Sequence, residues 1–245
     1  MSRLTSSTKT SPPAPPAPGV EAPSPLTLDQ VLDALYGPSP AGAWVRLVSS
    51  ASGFLNERFF RWVEVTNTWR ALGSYPAGRE PEPASFATSE APATAYLDLI
   101  RYAAPDAGGA RAPITAIWVA IPVRCDARRP YEPAPQRAPF ALERAREQLA
   151  RVAVTPSILL DEGAWICGVW TLSAPCDEGQ ASRLLLQLRQ RCGGDQRRAD
   201  LQSSLVRLPD TKAVDVFPTQ LVTATRGGGP VHLADLEAAL SGPEQ

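Results

Sequence analysis

The sequence predicts an α+β domain built on a largely antiparallel sheet flanked by helices. Three observations lead there. First, stretches of strand length and stretches of helical period follow one another through the second half in the order strand–helix–strand–strand–helix–strand–strand. Second, the two middle strands are separated only by the turn Asp161-Glu162-Gly163, which leaves no room for a crossover helix. Third, 44% of the 245 residues are hydrophobic and 20% are charged, enough apolar surface for a substantial core.

Residues 1–26 are dominated by Ser, Thr, Pro and Ala. Such a segment cannot bury enough apolar area to offset its ordering entropy, so a disordered arm is expected there. Residues 27–245 are expected to form a single domain. Thr27 suits an N-cap for a helix carrying Leu28, Val31, Leu32 and Leu35, and Gly37-Pro38 stops it. Ala43 to Val48 reads as a strand, and Arg58 to Val65 is apolar and aromatic. Ser74 to Pro92 reads as loop. Ala93 to Ala103 has helical spacing through Tyr96, Leu99, Ile100 and Ala103. Thr115 to Arg124 is a strong strand, and Arg128 to Pro139 is a proline-rich loop. Phe140 to Val152 is an amphipathic helix, with Leu142, Ala145, Leu149 and Val152 on its apolar face. Strands follow at Ser157–Leu160 and Trp165–Leu172, then a helix over Gly179–Cys192. Ser204–Leu208 and Val214–Ala224 are further strands, and His232–Leu240 is a short helix. No internal repeat is present.

Net charge is −1, so any nucleic-acid surface has to come from local clustering. Lys9 and Lys212 are the only lysines. This arginine bias accompanies Ala and Pro richness and follows from GC-rich codons. The four cysteines (Cys125, Cys167, Cys176 and Cys192) form no CxxC pair, and the single histidine, His232, lies far along the chain. That pattern argues against zinc and for reduced thiols. The N-terminus has no apolar core of the signal-peptide kind. No run approaches the roughly 20 apolar residues of a membrane-spanning helix. A cytoplasmic protein is expected.

The most informative stretch is Gly193 to Asp215, GGDQRRADLQSSLVRLPDTKAVD. It places Asp195 and Asp200 ahead of a strand-like run that ends in Arg207-Leu208-Pro209-Asp210-Thr211-Lys212. This resembles the GxD…D…RLPGTxN signature of the primase-polymerase (archaeo-eukaryotic primase) superfamily, nearest the RepB-like primases of plasmids and phages. Asp200 falls on the late acid, Asp210 replaces glycine, and the asparagine position falls on Ala213. A second stretch, Glu162 to Trp170 (EGAWICGVW), resembles SGxGxHxYW. Gly163 and Trp170 keep their places, while Glu162 stands at the phosphate-contacting serine and Cys167 at the histidine. The family's first motif is a strand with acids at alternate positions, whose side chains share one face. In this chain the acid positions fall on Ala120 and Pro122 of Trp118–Arg124, with Asp126 two residues beyond.

The resemblance covers roughly residues 114–225 and implies a primase-like palm. It further implies that the Arg-Leu-Pro corner folds across the sheet that holds the Ala-Ile-Pro strand. In the family, paired acids hold two divalent ions that position a nucleotide and a primer end. Here Asp200, with Asp126 as a shifted ligand, is the candidate catalytic and metal site, for Mg²⁺ or Mn²⁺ if the chain is active. Arg207, Glu162, Cys167 and Lys212 mark the candidate nucleotide pocket. Arg207 either meets a phosphate or pairs with Asp200 or Asp195 to fix the turn. Cys167 is either a nucleophile or a buried thiol.

Arg124, Arg128, Arg129, Arg197 and Arg198, with Arg189 and Arg191, are candidates for a phosphate-contacting stripe or for a solvated face. Trp165 and Trp170 stack bases or belong to the core. Expected partners are DNA, nucleotides and a replication helicase or initiator. Three functions follow: a primase-like replication protein of mobile-element type with impaired catalysis, a non-catalytic structural or regulatory partner, and an active primase using shifted ligands.

Overall fold

A computed structural model of the chain describes residues 24–37, 43–51, 54–63, 68–71, 73, 82–83, 94–103, 111–123, 138, 140–198, 200–202, 204–213 and 220–242. The expected arm apart from residues 24–26, the expected loop at 74–92 apart from residues 82–83, and the proline-rich loop at 128–139 apart from residue 138 lie outside them.

Thr27 caps the first helix, α1 (Leu28–Tyr36), as its sequence predicts. Its hydroxyl accepts the Gln30 N–H, and the Gln30 side chain returns to the Thr27 N–H. The strands of the first half are β1 (Trp44–Ala51), β2 (Phe54–Val63), β3 (Thr68–Ala71) and β4 (Thr94–Tyr102). Then come β5 (Ile114–Pro122), helix α2 (Ala141–Leu149), β6 (Ile158–Asp161), β7 (Trp165–Cys176) and helix α3 (Glu178–Cys192). After a short 3₁₀ turn at Gln196–Arg198 follow β8 (Leu205–Arg207), β9 (Lys212–Ala213), β10 (Gln220–Leu221), β11 (Thr223–Arg226) and helix α4 (Leu233–Ser241).

Among the described residues the strands pair, antiparallel throughout, into a five-stranded sheet β3-β2-β1-β4-β8, a four-stranded sheet β11-β6-β7-β5 and a β9–β10 ribbon. The α+β class and its antiparallel pairing are as the sequence predicts. The single sheet is not. β5, which carries Ala120 and Pro122, lies in the four-stranded sheet, whereas β8, which carries Arg207, closes the edge of the five-stranded one.

The segment expected to be helical at 93–103 is strand β4. It lies between β1 and β8 and is buried on both faces: Ala95, Leu97 and Leu99 are 2% exposed or less, and Asp98 is fully buried. An apolar run with buried neighbours on every side carries no period of two, so its spacing can imitate a helix.

α1 is wedged between the sheets. Its Tyr36 ring meets Trp69 of β3 edge-on at 6.3 Å, while the Ala34 carbonyl accepts the Thr171 hydroxyl of β7 at 3.2 Å. Strand alternation points Trp118, Ala120, Cys167, Val169 and Leu160 toward this side of the four-stranded sheet. Its other face packs on α2 and α3. There Gly168 leaves room for Leu149: an added Cβ would stand 2.8 Å from a Leu149 methyl.

Candidate functional site

The Gly193–Thr211 segment joins the two sheets, and its residues explain its course. α3 ends on Gly193, whose φ of 69° is the left-handed conformation a helix C-terminus favours. Gly194 then lies against β5 so closely that a Cβ there would sit 2.4 Å from a Val119 methyl. This approach lets the Asp195 N–H donate to the Ala120 carbonyl at 2.8 Å. The Asp195 carboxylate starts the 3₁₀ turn by accepting the Arg197 N–H at 2.9 Å, and its other oxygen accepts the Trp165 indole N–H at 3.2 Å.

The chain next crosses to the five-stranded sheet, where Arg207 pairs with Tyr96. The Leu208-Pro209-Asp210-Thr211 turn ends β8. Proline supplies its second position, and Asp210 holds a φ of 64° in its third. Asp210 stands where the family signature has glycine. Aspartate is among the few residues that tolerate the left-handed region.

Glu162 connects this segment back to the four-stranded sheet. It follows β6, is 1% exposed, and accepts from two directions. The Arg198 Nη2 reaches Oε1 at 3.2 Å and Oε2 at 3.1 Å, and the backbone N–H of Arg207 reaches Oε2 at 3.1 Å. Arg198 is held independently as well. Its Nη2 donates to the Leu205 carbonyl at 2.7 Å, its guanidinium lies 5.2 Å over the Trp165 ring, and its carbonyl accepts the Trp118 indole N–H at 3.2 Å. Burial works against the charge on Arg198. The charge and hydrogen bond of Glu162, together with Cys167 and Tyr96, more than offset that, so the guanidinium pKa is raised. Burial, and after it the charge of Glu162, push the Cys167 thiol well above the ordinary thiol range, with Arg198 opposing. Cys167 is a fully buried free thiol, which is the surrounding the buried-thiol alternative expects.

The structure thus brings together Glu162, Cys167, Arg198 and Arg207, and adds Trp165, Asp195 and Tyr96. Arg198 is turned inward on Glu162, and the Arg207 guanidinium lies 5.6 Å over Tyr96. Asp200 is exposed, with Oδ1 accepting the Gln202 N–H at 2.8 Å, and Arg197 is exposed on the 3₁₀ turn. Lys212 is exposed on the β9–β10 ribbon. Arg191 spends its donors on the carbonyls of Arg151 and Gly242. Arg124, Asp126, Arg128 and Arg129 lie outside the described residues. Of the two tryptophans, Trp170 is core, with its indole N–H on the Val154 carbonyl at 2.8 Å, while Trp165 is half-buried under Arg198.

Ala120 and Pro122 point toward the same side as Trp165 and Cys167, but neither side chain can ligate an ion. Among the described residues, no group of three or more His, Cys, Asp or Glu converges on one point. These residues do not fit a two-ion site.

A second polar cluster lies within the five-stranded sheet. Asp98 is fully buried. Its Oδ2 accepts Arg46 Nε at 3.0 Å, Arg46 Nη2 at 2.7 Å and the Tyr102 hydroxyl at 2.8 Å. Its Oδ1 accepts the Ile100 N–H at 3.0 Å and the Ser204 hydroxyl. The Tyr36 hydroxyl donates to the Asp98 carbonyl. Ser204 directly precedes β8, so this network anchors the strand that presents Arg207. Sequence reasoning missed Asp98 and Tyr96 because both fall in the segment assigned to a helix. An acid inside an apolar run was the available signal.

These features define a two-sheet α+β domain with an arginine–carboxylate junction between its sheets. Among solved structures, the chain is similar to the AEP domain of the cyanophage S-2L primase-polymerase (PrimPol). The TM-score is 0.55 at 14% identity, over 86% of this chain and 94% of that one. It is also similar to the primase RepB′, with a TM-score of 0.52 at 10% identity over 86% of this chain and 60% of that one. The chain therefore has the primase-polymerase fold that its motifs resemble. No protein-family model and no curated protein matches the sequence. No helix of the described residues is long and apolar enough to cross a membrane.

Proposed function

We propose that this chain is a primase-like replication protein of plasmid or phage type that binds DNA in the cytoplasm, with nucleotidyl transfer impaired. The observation that carries this reading is the junction itself. The fold brings the Gly193–Thr211 segment to β5, where the family's ion-binding strand would present acids, and Ala120 and Pro122 stand there instead. Two-ion catalysis without its paired carboxylates loses the charges that organise the transition state. No step through Mg²⁺ or Mn²⁺ is derived for these residues.

The nucleotide corner of this reading is marked by Glu162, Cys167 and Arg207, with Lys212 beside it in sequence. The proposed DNA contacts are the exposed Arg197 and, from the sequence, Arg124, Arg128 and Arg129. A replication helicase or initiator is the proposed protein partner.

Two measurements test this. Single-stranded DNA should bind with an affinity that falls steeply as salt rises, and Arg197→Ala should lower the salt slope by about one phosphate contact. Primer synthesis with Mg²⁺ or Mn²⁺ should be absent in the wild type. Synthesis abolished by Asp200→Ala would instead establish an active enzyme with shifted ligands. No DNA binding at low salt would leave the regulatory-partner reading.

A further inference from the structure

The Glu162 carboxylate has the surroundings of a bound oxyanion. It is 1% exposed, and its donors are a guanidinium and a backbone N–H from a different sheet. Those donors have anchors besides Glu162. Arg198 is tethered to the Leu205 carbonyl, to the Trp165 ring and, through its own carbonyl, to Trp118. The Arg207 N–H belongs to β8, which is paired with β4 and fastened by Ser204 to Asp98. Donors fixed in place before the anion arrives are what an anion site requires. The corner is also close to solvent: the Arg198 side chain is 15% exposed and Trp165 is half-buried.

We infer that the Arg198 guanidinium and the Arg207 N–H form a ready-made oxyanion site that Glu162 fills from within, and that shortening this one side chain opens it to an external carboxylate or phosphate. The inference goes beyond the function proposed above and stands on this geometry alone. It bears on that reading at one point: with Glu162 in place, a phosphate group is excluded from this corner.

Glu162→Ala removes the equivalent of an acetate ion, and Glu162→Ser does the same while leaving a small polar group on Cβ, short of the position from which Oε2 meets the Arg207 N–H. Thermal unfolding of the full-length wild type and both variants is measured in acetate, inorganic phosphate and chloride at one ionic strength. The variants should melt below wild type in chloride. Acetate or phosphate should then raise their midpoints saturably, by roughly 3 °C or more beyond the non-specific salt effect that the wild type shows. Adding Arg198→Met to either variant should abolish the response.

Variants that respond to all three salts alike overturn the inference. So does failure of both variants to fold in any of them, because no external anion then replaces the carboxylate. The DNA-binding measurement above is independent of this result. Either can fail without the other.

Discussion

Among the described residues, two buried carboxylates sit on arginines, and they are held differently. Asp98 lies inside one sheet. Arg46, Tyr102 and the Ile100 N–H come from its own strand and the neighbouring one, and Ser204 completes the set. Glu162 lies between sheets, and both its partners come from the Arg198–Arg207 stretch. The first arrangement is a satisfied network of the kind that fixes a core. The second has fewer donors, belongs to the chain segment that resembles a functional signature, and connects the two halves of the fold. Buried charge therefore knits one sheet in one place and links the two sheets in the other.

Isosteric neutralisation of each acid tests the comparison most sharply. Asp98→Asn puts an amide N–H against Arg46 or Ser204 and leaves buried donors unmatched. It should cost about 3–5 kcal/mol in urea unfolding. Glu162→Gln keeps an acceptor for the Arg207 N–H, loses the charge facing Arg198, and turns one of the two oxygens that meet Arg198 Nη2 into an amide donor. About 2 kcal/mol is expected. If the two costs were equal, or reversed, the distinction between network and junction would fail.

The thiols supply a pH arm. Burial pushes the Cys192 thiol up from 9.0 to about 11, with Arg151 and Arg191 opposing. The folded state holds this proton more tightly than the unfolded chain. The resulting stability is fully present below pH 9 and is lost as pH rises through about 11. Roughly 3 kcal/mol at most is at stake. Cys192→Ala should lessen the decline of the melting temperature between those values, leaving the part that the buried Cys167 contributes, whereas removing a surface cysteine would leave the decline unchanged.

The smallest expected effect is at the turn. Asp210→Gly should be neutral within about 0.5 kcal/mol, because glycine takes the 64° φ freely. Asp210→Val should cost about 1–2 kcal/mol in the same unfolding assay. Equal stabilities for the two would mean that the turn does not need its left-handed residue.

Much of the fold was legible in the chain. α1 has its capping box and glycine stop. α2 and α3 have one apolar face each, and the strands around Asp161-Glu162-Gly163 alternate with a short turn. The junction was legible in part. Arg207, Glu162 and Cys167 were marked by their places in the motifs, whereas Asp98 and Tyr96 were hidden in a stretch whose spacing imitated a helix.

Local chemistry settled what depends on near neighbours: caps, turns, amphipathic faces, and the absence of side-chain ligands at Ala120 and Pro122. The tertiary structure alone decided which sheet each strand joined, that Arg198 turns inward to Glu162, and that Tyr96 lies beneath Arg207. Those outcomes depend on pairings between residues tens of positions apart. A strand buried on both faces has no periodic signal that could announce its partners in advance.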